Sequence, residues 1–342
     1  MTRKTRTVPL FKRIIFAASI TLSSSLAFAV PLSFNDIFVF GDSLSDTGNT
    51  ASRALTGNPF VDPLISAQGG FGSNGRFSNG PVWHEYLADS LGISRATNSE
   101  GGGNNYAFGG ARVDNAGGVS AGVLNQYDQY DTNLTGSANA NDLYITWAGG
   151  NDMRDLVGAT DPIAAINAQL DSFVGVMTRL VAKGVGTLLV PNLPNLGAIP
   201  KFAGSAESAG ATLASQAWNA GLEQRLIGLS ATTSASIFYL DVFGIFGSIL
   251  DNPAASGFTN TTDQCRSVLF LVVETACADA DTYLFWDNIH PTTAAHKRLG
   301  DAAFALLASG NKVTVPEPAV IWLMLLGIGV VVGRRALVIK AA

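Results

Sequence analysis

Between residues 30 and 318, short apolar runs alternate with longer stretches in which apolar positions recur every three to four residues. The short runs predict strands at 36–40, 105–108, 142–147, 187–190 and 237–240. The longer stretches predict helices at 82–91, 123–130, 162–183, 206–229 and 292–307. Strands alternating with helices build a parallel sheet covered on both faces, an α/β class of fold. Ligands bind such sheets just beyond the carboxyl ends of the strands, so the chemistry is expected in the turns that follow them. Segments rich in Gly, Ser and Asn at 66–80 and 98–122 read as surface loops.

The two ends break this alternation. Arg3, Lys4, Arg6, Lys12 and Arg13 precede an apolar run at 14–28, and Ala27-Phe28-Ala29 is a small-x-small site, so residues 1–29 read as a secretory signal cut after Ala29. An uncleaved membrane anchor is the alternative. A second apolar run of fifteen residues, 319–333, is followed by Arg334-Arg335. As a helix it would be about 22 Å long, short of the ~30 Å hydrocarbon core. Basic residues stay on the cytoplasmic side, which puts the body of the chain outside. Val315-Pro316-Glu317-Pro318 precede this run, and the whole of 315–342 resembles the PEP-CTERM sorting signal of Gram-negative bacteria. That resemblance implies export across the inner membrane and processing by an exosortase-type enzyme. It also implies membrane contact through the C-terminal segment before processing, or a plain tail anchor if no processing occurs. The expected domain division is 1–29 signal, 30–314 globular body and 315–342 sorting signal.

Composition narrows the class. With 47% hydrophobic and 14% charged residues and a mean hydropathy of +0.25, the 342-residue chain can bury a full core, which excludes disorder. The net charge of −5 understates the acidity of the body: removing the eight basic residues at the ends leaves 13 basic against 26 acidic residues, a net of −13. Such a body repels phosphate backbones, so no nucleic-acid partner is expected. Cys265 and Cys277 stand close together, and in an exported chain they read as a disulfide closing a small loop, with two buried thiols as the alternative. There is no C-x-x-C and no Cys/His cluster, so neither a metal nor another cofactor is expected.

Two glycine motifs fail on context. Gly70 to Gly75 matches the dinucleotide pattern G-x-G-x-x-G, but 65–69 does not read as a strand and 76–81 does not read as a helix. Gly118-Val119-Ser120-Ala121-Gly122 matches the G-x-S-x-G elbow, but 112–117 reads as a loop where the elbow needs a strand.

A hydrolytic serine needs a base that titrates near working pH, and the chain has three histidines. His84 and His296 fall in helix-like stretches and read as packing or helix-surface residues. His290 lies in Trp286-Asp287-Asn288-Ile289-His290-Pro291, where Asp287 can reach the imidazole within one turn and Pro291 can open the last helix. Ser43 follows the first predicted strand directly, where its N–H suits a developing negative charge. Asn151 follows the 142–147 strand in Trp147-Ala148-Gly149-Gly150-Asn151-Asp152.

Four blocks in order resemble the GDSL (SGNH) esterases and lipases: Gly41-Asp42-Ser43-Leu44, Asn105 to Ala111, Gly150-Asn151-Asp152, and Asp287-x-x-His290-Pro291. They span 36–300. The segments 75–80 and 190–197 further resemble the plant-type and lecithinase/haemolysin-like branch. The resemblance implies a three-layer flavodoxin-like fold and ester hydrolysis without a metal. By matching position, Ser43 is the nucleophile, His290 the base and Asp287 its orienting acid. The oxyanion donors are the Ser43 N–H, the Gly110 N–H (rather than that of Gly109) and the Asn151 side chain. The expected substrate is an ester, either a lipid or an acylated polysaccharide. A polysaccharide O-deacetylase, an acyltransferase and a non-catalytic surface or matrix protein remain alternatives. The long segment 252–281, which carries both cysteines, departs from the family pattern. Phe60, Phe71, Phe77 and Trp83 are candidates for an acyl pocket or, preferably, for the core.

Overall fold

The computed structural model describes residues 33–114, 120–269 and 273–314. The expected signal at 1–29, the Pro-Glu-Pro motif and the apolar run at 319–333 lie outside the described residues. Four parallel strands, β1 (Ile37–Gly41), β2 (Leu143–Trp147), β3 (Thr187–Pro191) and β4 (Ser236–Leu240), are hydrogen-bonded side by side in that order. Each starts within one residue of its sequence prediction. β2 is buried at every position, as a central strand covered on both faces must be. β1 runs beside it in register from Ile37–Leu143 to Gly41–Trp147.

The segment 105–108 is not the strand that its sequence predicts. It lies along the free side of β1, joined by a parallel bridge between Val39 and Asn105, with Tyr106 N–H on Val39 O at 2.8 Å and Phe108 N–H on Gly41 O at 3.2 Å. Asn105 interrupts it: its side-chain oxygen takes the Ala107 N–H at 2.9 Å, and its amide donates to Ser45 O at 2.6 Å. An Asx turn of this kind competes with a ladder for backbone donors. With this segment counted, the spatial order is second, first, third, fourth, fifth, the flavodoxin-like arrangement.

Helices α1 (Asn49–Ala54), α2 (Asp62–Gly69), α3 (Trp83–Leu91), α4 (Val123–Asn133), α5 (Gly150–Leu156), α6 (Pro162–Ala182), α7 (Ser208–Ser230), α8 (Val242–Asp251) and α9 (Thr293–Ser309) surround the sheet. Pro in the first turn opens α6, and Ile166, Leu170, Phe173, Met177 and Leu180 bury one stripe at three- and four-residue spacing. α4, α6 and α7 pack in a row from β1 to β4, while α3 packs on α9, which reaches β4. These two groups are the outer layers of the three-layer α/β fold.

The reading of 66–80 as a surface loop is corrected. α2 occupies its first part, and Phe71, Phe77 and Ser78 are buried beneath it. Segment 98–122 is likewise more than surface loop, since Asn105, Tyr106, Ala107 and Phe108 are buried against β1. The 252–281 segment forms β5 (Asn260–Gln264) and the antiparallel pair β6 (Arg266–Leu269) and β7 (Val273–Ala276). A Cys265–Cys277 disulfide closes the base of that pair, with Cα atoms 4.9 Å apart. β5 pairs with β8 (Tyr283–Phe285), and Cys265 N–H and Arg266 N–H donate to Phe285 O and Trp286 O at 3.0 and 2.6 Å. The extra segment therefore braces the chain immediately before Asp287. Among the described residues, no helix is long and apolar enough to cross a membrane.

Candidate active site

The site begins where β1 ends. Gly41 lies so close to β2 that a side chain there would run into the carbonyl oxygen of Trp147. The Gln126 amide from α4 brackets the same residue, accepting from Gly41 N–H at 2.8 Å and donating to Gly41 O at 2.7 Å. The following turn is tied by Asp42, whose side chain accepts from Leu44 N–H at 3.0 Å and whose carbonyl accepts from Ser45 N–H at 3.0 Å. Ser43 is thereby presented past the sheet edge, 7% exposed, with its hydroxyl 2.8 Å from His290 Nε2.

His290 arrives on a tight turn after β8. Trp286 N–H donates to His290 O at 2.8 Å, and Thr292 N–H donates to Leu284 O at 3.0 Å. Asp287 uses one carboxylate oxygen to accept the N–H groups of Ile289 and His290, at 2.8 and 2.7 Å. Its other oxygen lies 2.8 Å from His290 Nδ1. A carboxylate only accepts, so Nδ1 carries the proton and Nε2 faces Ser43 as the acceptor. Burial alone would raise the Asp287 pKa. The imidazole beside it and the N–H donors of His290 and Ile289 outweigh that and hold it below the usual carboxylate value. Pro291 sits one residue ahead of the cap, rather than opening α9. The cap is Thr292, whose hydroxyl accepts from Ala295 N–H at 3.3 Å.

Asn151 lies in the first turn of α5, just past β2. Its side-chain nitrogen donates to Ala111 O at 2.8 Å, and it shares a cavity with Ser43. The neighbouring Gly149 has φ +109° and packs so tightly under the Trp218 ring that no Cβ would fit. Gly109 N–H is engaged by Asp46 Oδ2 at 2.9 Å and Thr50 Oγ1 at 2.7 Å. The N–H groups of Gly110 and Ser43 have no acceptor among the described residues. Asp46 also accepts from the N–H groups of Gly48 and Asn49, both at 2.7 Å, so it ties the segment after Ser43 to the 105–111 segment.

The cavity at Ser43 is walled by Trp147, Leu193, Ile199, Phe246, Phe285 and Ile289, with Asp42 and Arg154 as its charged residues. Burial pushes the Asp42 carboxyl up to about 6, against the opposing pull of Leu44 N–H, His290 and Arg154. Sequence reasoning missed Asp42, Asp46, Gln126 and Arg154. A legible sign existed for Gln126, a polar residue in phase with the buried Val123, Tyr127 and Tyr130 of α4. Of the four aromatic candidates, Phe71, Phe77 and Trp83 are core residues, and the Phe77 ring also lies 5.2 Å from that of His290. Phe60 is 86% exposed and belongs to neither core nor cavity.

The other two histidines are packing residues. His84 Nε2 lies 2.9 Å from Ser45 O, and His296 Nδ1 accepts from Trp83 N–H at 3.3 Å. Burial lowers the pKa of both, that of His296 to about 3. Ser120 hydrogen-bonds Gly109 O, and Gly118 and Val119 of its motif lie outside the described residues; the helix α2, not a strand, precedes Gly70. Among the described residues, no three His, Cys, Asp or Glu side chains are grouped to hold a metal ion.

The family model described as GDSL-like Lipase/Acylhydrolase matches residues 37–303. A thermolabile hemolysin of Vibrio parahaemolyticus is 27% identical over 86% of this chain and 68% of its own length. A phosphatidylcholine-sterol acyltransferase of Aeromonas hydrophila is 26% identical over 81% of this chain and 91% of its own. A GDSL esterase/lipase of Arabidopsis thaliana is 28% identical over 77% and 86% respectively.

Proposed function

The chain belongs to the GDSL-like lipase/acylhydrolase family and is an ester-hydrolysing enzyme, and from that premise we propose that it works through a Ser43–His290–Asp287 acyl-enzyme cycle. The observation that carries this reading is the chain of two 2.8 Å contacts from Asp287 through His290 to Ser43. His290 Nε2 takes the Ser43 proton as Oγ attacks the ester carbonyl. The oxyanion is held by the N–H groups of Ser43 and Gly110 and by the Asn151 amide. The alkoxide leaves with the proton from His290 as the carbonyl re-forms. Water then attacks the acyl-enzyme, giving its proton to His290, and Ser43 is released with the acid. Asp287 orients the ring and balances the imidazolium in both halves.

Acyl transfer to an alcohol in place of water is the second reading, favoured by the acyltransferase from Aeromonas hydrophila among the relatives. The enzyme acts outside the cytoplasm on this proposal. The basic-then-apolar N-terminus, the C-terminal sorting pattern and the Cys265–Cys277 disulfide all support that placement. Its test is fractionation of cells that express the tagged chain.

The catalytic test is hydrolysis of acetyl through decanoyl nitrophenyl esters by the purified protein, with Ser43→Ala beside it and a fluorophosphonate probe for the nucleophile. Activity and labelling lost together in the variant are expected. Equal rates in both proteins would overturn the assignment of Ser43, and added alcohol would divert product to a new ester only under the acyl-transfer reading.

A further inference from the structure

Arg154 stands out from the other arginines. Arg53, Arg76, Arg95, Arg112, Arg179 and Arg225 each pair with a carboxylate, and Arg266 and Arg298 donate to backbone carbonyls. Among the described residues, Arg154 alone of the arginines makes neither a hydrogen bond nor an ion pair within 4.0 Å, and its Nε is buried without an acceptor. The acids on its own helix are already engaged. Asp155 pairs with Arg112, and Asp152 accepts from Val113 N–H at 3.2 and 3.3 Å. Asp42 is near enough to feel the guanidinium but does not bond it.

The position gives this unpaired charge its meaning. Arg154 lines the same cavity as Ser43 and Asn151, three residues beyond Asn151 on α5 and thus on one face with it. The other walls are mostly apolar, so few groups compete for the guanidinium and a charge met there is screened less than at the surface. A buried donor left unmade opposes folding. A fork of planar N–H donors matches a carboxylate or phosphate in two places at once.

We propose that Arg154 forms an anion subsite of the ester-binding cleft, and that the preferred substrates are esters carrying a carboxylate or phosphate close to the scissile bond. The proposal rests on the Ser43 site reading and names the substrate class of that site. The acidic body, net −13 between residues 30 and 318, disfavours docking on an anionic bilayer, so the ligand is a dispersed anionic ester rather than a charged membrane surface. Two sources share the chemistry: a terminal carboxylate on the acyl group, or a phosphate on the alcohol.

The test compares two matched pairs on the full-length protein. One pair is 4-nitrophenyl hemisuccinate against 4-nitrophenyl butanoate. The other is 1-hexanoylglycerol 3-phosphate against 1-hexanoylglycerol, both kept below micelle formation. The readout is the ratio of kcat/KM, anionic over neutral, for wild type, Arg154→Met and Arg154→Lys. Wild type is expected to favour the anion in one pair, which identifies the source. In Arg154→Met that ratio falls by roughly 10- to 100-fold, the value of a charge-assisted hydrogen bond. Arg154→Lys keeps part of it. A general loss of activity or folding lowers both members of a pair and leaves the ratio unmoved. If Arg154→Met is insoluble, glutarate against pentanoate as inhibitors of wild-type butanoate hydrolysis gives the same comparison. A wild-type ratio at or below one in both pairs, or a ratio within threefold of wild type in Arg154→Met, overturns the anion subsite. Inertness of wild type towards all four esters and the fluorophosphonate probe overturns the Ser43 reading instead.

Discussion

Replacing Asp287 with asparagine tests how much of the rate depends on one carboxylate. The side chain is nearly isosteric, and its amide oxygen can still accept the N–H groups of Ile289 and His290, which lie 2.8 and 2.7 Å from the present carboxylate oxygen. The amide nitrogen then faces His290 Nδ1 and donates to it. The ring proton is forced onto Nε2, so the nitrogen facing Ser43 can no longer accept its proton. The lost charge costs as well. With the carboxylate and imidazolium centres ~4 Å apart, an effective dielectric of about 20 gives about 4 kcal/mol, or about 10³ in rate. Adding the wrong tautomer brings the expected fall in kcat to about 10⁴, the size known for this substitution in a serine protease triad. Nitrophenyl ester hydrolysis measures it, with circular dichroism to confirm the fold. A fall of less than tenfold in the folded variant would refute the argument, because Asp287 would then neither fix the tautomer nor balance the imidazolium.

Three further perturbations follow from the same geometry. Asn151→Ala removes one oxyanion donor and should lower kcat by about 10²–10³ with little change in KM, measured on the same esters. Asp42 has an ordinary value of 3.8 that burial raises to about 6, so the folded protein keeps a proton that the unfolded chain loses. Its contribution therefore weakens folding as pH rises from about 4 to about 6, by about 3 kcal/mol in all, and is constant above that. Asp42→Asn should abolish this fall and stabilise the protein above pH 6, read from urea midpoints across pH 4–8. Reducing the Cys265–Cys277 disulfide, or Cys265→Ser with Cys277→Ser, should cost about 3 kcal/mol by loop entropy and lower Tm. Because the same hairpin is hydrogen-bonded to Phe285 and Trp286, kcat should fall with it. An unchanged Tm would show that the loop is held without the bond.

What the sequence makes legible is what depends on short range. β1 to β4 announce themselves as apolar runs, because a strand covered on both faces has no polar positions to hide it. Ser43, Asn151 and the Asp287–His290 pair are legible for a related reason: each sits at a strand end or within one turn of its partner. The segment 105–108 has the composition of a strand, and it is turned aside by the Asx turn of Asn105, whose amide is held by the long-range bonds to Ser45 and Thr47. α5 and α8 hide because each follows its strand within a few residues, although Asp241, which accepts from Gly244 N–H at 3.0 Å, marks the start of α8.

The residues that hold the site in place are of the second kind. Gln126 touches Gly41 across 85 positions, and Asp46 touches Gly109 across 63, so no local spacing connects them. Their polarity is nevertheless informative once the fold is known, since a buried polar side chain persists only where it satisfies another group. Arg154 departs from that rule. Asp42, Asp46 and Gln126 are bonded to the backbone they support, while the Arg154 guanidinium lines the cavity with its Nε unsatisfied. The Arg154 guanidinium makes no bond to the fold, although its charge is felt by Asp42, and on the anion-subsite proposal its partner is what enters the Ser43 cavity. The anionic-over-neutral ratio therefore measures something that the five matched family positions, Ser43, Gly110, Asn151, Asp287 and His290, leave open. On the proposed mechanism those positions set how an ester is cleaved, and the ratio reads which ester the cleft prefers.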